Sequence, residues 1–168
     1  MGFTPVSLVR NSKSFVRTGL QGVASFLGAF LGWLGFGKHF YLPSNSLWSD
    51  PKIDIVVFTQ PWHLLISTES FRAIALATFG SILAQLIISK RSVARRWLGF
   101  TAAICAAVGG WLGAFCILLQ FGYWYLAGYT NAQPGTQVNL LFVALFAVWL
   151  TSLLIALGLN SRVTRGLN

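Results

Sequence analysis

His39 and His63 are the only histidines in this chain of 168 residues, and Asp50, Asp54 and Glu69 are its only acids. All five fall within one stretch, 38–70. Imidazole nitrogens with carboxylate oxygens form a donor set suited to zinc and other transition metals. Their spacing here matches no metal-ligand pattern, and acids in so apolar a stretch have the simpler task of keeping it hydrated. No metal site is expected. His39 stands among aromatic residues at the end of an apolar run, which makes it the best candidate for a lone axial ligand to haem or chlorophyll. Nothing in the sequence requires either cofactor. A haem held between two helix-borne histidines is not expected, because no apolar run contains one.

Other chemistry is sparse. Cys105 and Cys116 lie eleven residues apart in one apolar run, about 16 Å along a helix axis, too far to join. Neither a nucleophile motif nor a phosphate-cradling glycine loop occurs. The interiors of the apolar runs lack Asp, Glu, Lys, Arg and His, the usual carriers of intramembrane proton or ion transfer. Gln85 and Gln120 read as the most polar side chains within those runs, and hydrogen bonding between helices is their expected task. The expectation is a non-enzymatic chain.

The elements that must position these residues follow from composition. Apolar residues make up 55% of the chain and charged ones 9%, with a mean hydropathy of +0.69. A soluble domain of this size could not hide so much apolar surface. A membrane-spanning helix needs about 20 apolar residues, and three runs meet that length: 71–89, 97–121 and 138–159. A fourth, 19–37, is rich in glycine, which is common in membrane helices. A cleaved signal peptide and a re-entrant or interfacial segment compete for that run, but no convincing small-x-small cleavage site follows it. The expected fold is therefore an all-α integral membrane protein of four transmembrane helices. Residues 1–18 form a basic leading segment, and 38–70 an outer loop of ~33 residues. A basic link spans 90–96, an aromatic outer loop 122–137 and a basic tail 160–168.

Charge then orients the bundle. Arg10, Lys13 and Arg17 precede the first run; Lys90, Arg91, Arg95 and Arg96 fill the link; Arg162 and Arg165 follow the last run. With four spans all nine share one side, while Lys38, Lys52 and Arg72 balance the three acids on the other. The whole net charge of +9 then lies inside, as the positive-inside rule requires. Both termini are expected in the cytoplasm of a bacterial inner membrane or an equivalent energy-transducing membrane. These basic residues suit orientation and contact with anionic lipid headgroups. Nucleic acid is not an expected partner, since short links between membrane helices provide no folded basic surface. Arg10, Lys13 and Arg17 share one helical face opposite Leu8 and Phe15, so the leading segment reads equally as an interfacial helix or a disordered tail. Tyr123, Trp124, Tyr125 and Tyr129 suit an interfacial aromatic belt.

Small residues recur at helical spacing. Ala102, Ala106, Gly110 and Ala114 form one ridge with Gly109 and Gly113 beside it, and Ala24, Gly28 and Gly32 form another. Such ridges let helix backbones approach closely, which matters where lipid supplies no hydrophobic drive for association. With the apolar outer loop, they suggest an accessory subunit packed among other subunits of an energy-transducing or secretory complex. A lipid- or hydrophobic-ligand handler, with a cavity lined by Gln85 and Gln120, is the alternative. A pigment or haem subunit using His39 comes third. Cysteines introduced at Ser92 and Asn45 should label from opposite sides of the membrane with an impermeant maleimide. Equal protection of both would overturn the orientation.

Overall fold

Four long helices and one short turn make up the computed structural model, which describes residues 5–34, 61–88, 93–130 and 136–165. Side-chain surroundings are described for 12–34, 64–88, 97–120 and 140–164. The helices are α1 (Pro5–Gly32), α2 (Thr68–Ile88), α3 (Val93–Thr130) and α4 (Thr136–Arg165), with a 3₁₀ turn at Pro61–Ile66 before α2. Most of the expected outer loop, with Lys38, His39, Asp50, Lys52 and Asp54, lies outside the described residues, as do Lys90 and Arg91.

Proline at the first position of α1 sacrifices only an N–H that would lack an intrahelical acceptor anyway. The helix then runs 28 residues without a break between the basic segment and the apolar run, so the leading segment is helical from Pro5 onward. Gly19 and Gly22 each cost about 1 kcal/mol of helix propensity relative to alanine, too little to break a helix packed against three others. Its last turn tightens, with Leu34 N–H donating to Leu31 C=O at 3.1 Å. Helix α2 starts three residues before the expected 71, because Ser67 caps it: Ser67 Oγ accepts from Ser70 N–H at 3.2 Å. Glu69 then sits in the first turn, where the helix dipole favours a negative charge.

The largest correction concerns α3. It continues nine residues beyond the expected 121, to Thr130, so Tyr123, Trp124, Tyr125 and Tyr129 belong to a helix and not to a loop. No proline occurs between Val93 and Pro134, and Gly122 and Gly128 are isolated. At 38 residues the helix is about 57 Å long, nearly twice a hydrocarbon core of about 30 Å. Helix α4 begins directly after Pro134-Gly135 in the sequence and stays helical through Arg165. The expected basic tail from 160 is therefore mostly the last turns of a helix.

Paired contacts give the directions of the helices. On the α1–α2 crossing, Gly32 faces Ala73, Gly28 faces Leu76 and Ala24 faces Gly80, so the two run antiparallel. Helix α3 runs parallel to α1: Ser25 reaches Ala106 and Gly110, and Trp33 meets Phe115 with ring centroids 5.2 Å apart. Helix α4 returns antiparallel to α3, with Ser152 on Gly109 and Trp149 on Gly113. The start of α1, the end of α2, the start of α3 and the end of α4 thus share one end of the bundle, hereafter the basic end.

The exterior is apolar, unlike that of a soluble protein, and small and polar residues share the interior with Trp33, Phe115 and Leu119. Ala29, Ala73, Ala77, Ala103, Ala107 and Ala156 are fully or almost fully buried, together with Gln21, Ser25, Ser81, Gln85 and Asn160. Phe15, Val23, Leu31, Phe79, Ile87 and Val143 point outward and are exposed. Three helical stretches, Thr68–Ile88, Trp97–Gln120 and Leu140–Thr164, are long and apolar enough to cross a membrane. These features are those of an all-helical membrane protein.

Glycines on the α1–α2 crossing and in the outward face of α1 should respond oppositely to substitution. A Cβ at Gly32 would overlap the backbone of Ala73, whereas one at Gly19 meets nothing within 4 Å. Gly32→Ala should cost about 1–3 kcal/mol, and Gly19→Ala should be neutral or stabilise by up to about 1 kcal/mol. Unfolding in mixed detergent micelles reads both, and equal effects would refute the assigned packing.

Candidate functional site

Polar side chains converge where all four helices meet near the basic end. Gln21 of α1 donates Nε2–H to Gln85 Oε1 of α2 at 2.9 Å. Asn160 of α4 donates Nδ2–H to Gln21 Oε1 at 2.8 Å and to Thr18 Oγ1 at 2.9 Å. Thr18 passes its own hydroxyl proton to Ser14 C=O at 3.0 Å. Helix α3 contributes space: Gly99 lies against the Gln85 amide, where any Cβ would collide. Gln21, Gln85 and Asn160 are essentially inaccessible. These amides and hydroxyls do not change protonation near neutral pH, so the cluster acts as fixed dipoles that set helix register. Interhelical bonds of this kind average about 0.6 kcal/mol each in a membrane. Asn160 Oδ1 is buried with no hydrogen-bond partner among the described residues.

Two more interhelical bonds brace the middle of the bundle. Ser25 Oγ donates to Ala106 C=O and Ser81 Oγ to Ala103 C=O, both at 2.8 Å. Towards the other end, Trp111 Nε1–H donates to Ser70 Oγ at 3.2 Å and ties α3 to the first turn of α2. Helix α3 is thereby bonded to both α1 and α2 through its own carbonyls or indole.

Between α1 and α4 the surface opens into an apolar groove of about 460 Å³. Phe15, Val23 and Leu27 form one bank and Leu153, Leu154 and Leu157 the other. Gly19, Gly22 and Gly110 line it too and leave it without side chains. From Phe15 to Leu27 the groove extends about 18 Å along the helix. A smaller pocket of about 320 Å³ lies at the basic end beside Lys13 and Arg17.

The ridge residues expected from the sequence occupy helix contacts. Ala102, Ala106, Gly109, Gly110, Gly113 and Ala114 are buried, Gly32 is buried, and Ala24 and Gly28 are partly covered. Gln85 reaches Gln21 and lines neither hollow, while Gln120 is exposed. Among the basic residues, Lys13 and Arg162 are exposed and Arg17 is half-buried. Arg10, Arg95, Arg96 and Arg165 are placed on helices by backbone alone, as His63 is in the 3₁₀ turn. His39 lies outside the described residues, and among those described no cluster of His, Cys, Asp and Glu could hold a metal. Cys105 and Cys116 are free and partly covered.

Sequence reasoning missed Gln21 and Asn160. Gln21 carries the same amide as Gln85, and its spacing to Ser25, Gly28 and Gly32 puts it on the packing face. Asn160 follows Ser152 and Ala156 at four-residue steps, a signal hidden by assigning 160 to the tail.

Comparison with known proteins yields no relative: no family model, no curated protein and no solved structure matches the chain. Function must therefore be argued from geometry. Asn160→Leu removes two hydrogen bonds and strands Gln21 Oε1 and Thr18 Oγ1. It should lower stability in micelles by about 1–2 kcal/mol. A loss below about 0.3 kcal/mol would show that the cluster does not hold the helices.

Proposed function

We propose that this chain is a non-enzymatic subunit of a larger membrane assembly, of energy-transducing or secretory type, and that a partner's transmembrane helix docks in the α1–α4 groove. Gly19 carries the reading. A mid-helix glycine is costly, and at Gly28, Gly32 and Gly110 the close approach of another helix explains it. Among the described residues an added Cβ at Gly19 meets nothing within 4 Å, and at Gly22 only Leu153 at 3.8 Å, yet both line the groove. Small residues that pack on nothing internal are what a second helix needs in order to approach through lipid.

In this reading α1 also crosses the membrane, which makes four spans with both termini inside. What supports it is the uncharged stretch from Thr18 to Leu34, whose outward residues Leu20, Val23, Leu27 and Leu31 are exposed and apolar. The alternating helix directions are compatible with the same arrangement. The charge bias favours a bacterial inner membrane or its equivalent. A second reading, binding of a lipid or hydrophobic ligand, draws on the same groove, which is apolar and large enough for an acyl chain.

Purification in mild detergent decides between them. The native chain should co-purify with one or more membrane proteins, and Gly19→Leu should release them while leaving the fold intact. A monodisperse lone monomer would refute the subunit reading. Release of a stoichiometric hydrophobic small molecule on solvent extraction would support the second.

A further inference from the structure

The pocket at the basic end has the chemistry of a built anion site. Along α1 it is lined by Ser12, Lys13 and Arg17, and across from them by Thr164 in the last turns of α4. Lys13 and Arg17 are one helical turn apart, about 6 Å, so both cationic heads can reach one group. Arg17 is half-buried, and its Nε is enclosed with no hydrogen-bond partner among the described residues. A guanidinium stays protonated, and an enclosed N–H on a charged group costs more to leave unmade than a neutral one. Among the described residues the one acid, Glu69, belongs to the opposite end of α2.

The remaining walls are apolar: Val16 and Leu20 of α1, with Ile88 at the end of α2. Val16 and Leu20 are exposed, and Leu20 lies deeper along the bundle than Lys13 and Arg17. Hydroxyls and cations thus share the pocket with hydrocarbon that continues inward to Leu20. A free anion has no use for the apolar walls; a phospholipid uses both parts. We propose that this pocket binds the phosphate of an anionic membrane lipid, with Arg17 and Lys13 on the phosphate oxygens, Ser12 and Thr164 at the rim, and the acyl chain along Val16 and Leu20. Arginine suits the role because its planar fork presents paired N–H groups to phosphate.

General attraction between a basic surface and anionic lipid is a separate effect of about fivefold in affinity per charge, and Arg162 supplies its measure. Arg162 is exposed and on the last turns of the same helix as Thr164, but does not line the pocket. The full chain in phosphatidylcholine nanodiscs is titrated with phosphatidylglycerol, and bound lipid is counted by native mass spectrometry. One phosphatidylglycerol should be retained, with R17Q weakening it at least 20-fold and R162Q by ~5-fold or less. A headgroup photo-crosslinking phosphatidylglycerol should mark residues 12–20 of the unmodified chain, which keeps the test valid if R17Q misfolds. Equal losses in R17Q and R162Q, retention of phosphatidylcholine as strong as phosphatidylglycerol, or crosslinks elsewhere would overturn the site. Displacement of the lipid by millimolar inorganic phosphate would overturn the lipid assignment in favour of a free-phosphate site.

Discussion

Close backbone approach is the constraint on which this bundle depends. Lipid is as apolar as leucine, so the helices gain little by hiding leucine from it and must gain by contact and hydrogen bonding. The chain spends its glycines and alanines accordingly. Gly28 and Gly32 bring α1 against the backbone of α2, Gly80 returns the contact at Ala24, and Gly110 brings α3 against Ser25. At such distances a serine hydroxyl can reach a carbonyl on the next helix, as Ser25 and Ser81 do on α3. The small and polar residues of the interior and the apolar exterior follow from the same requirement.

The α1–α2 crossing shows how packing and polarity are linked. Near Gly32 and Gly28 the two backbones touch. Two turns further toward the basic end the pair in contact is Gln21 and Gln85, two long side chains meeting end to end at 2.9 Å. There the contact is made by amide side chains, with Asn160 joining from α4 and Gly99 of α3 leaving room for the Gln85 amide. Register at this end is set by hydrogen bonds, and at the other by shape.

Much of this architecture could be read from the sequence, and the failures have physical causes. The three strongly apolar runs and the small-residue ridges were visible because hydropathy and four-residue spacing are local properties. The ends of α3 and α4 escape a hydropathy reading because hydropathy finds where lipid begins, whereas a helix ends only where a proline, a turn pair or an unmet carbonyl stops it. Basic residues 10–17 and aromatic residues 123–129 change the solvent of a helix without breaking it. Asn160 was lost for the same reason, since it sits beyond the apolar limit but within the helix. Gln21, Gln85 and Asn160 come from three separate helices, and no spacing rule brings such residues together. The groove and the basic pocket are likewise properties of assembled helices.

Helix α1 illustrates how packing duties lower the apolar average of a helix. It alone is absent from the three stretches that meet length and apolarity together, yet it borders every feature of interest. One face carries Gln21, Ser25, Gly28 and Gly32 into the bundle, a second carries Gly19 and Gly22 into the groove, and its first turns hold Lys13 and Arg17 in the pocket. Each of these duties calls for a glycine, an amide, a hydroxyl or a charge, and each such residue lowers the apolar average. A helix that supplies contacts on several sides must be less greasy than one that mostly faces lipid. On this argument the modest hydropathy of α1 results from its central place in the packing and is no sign that it lies outside the membrane.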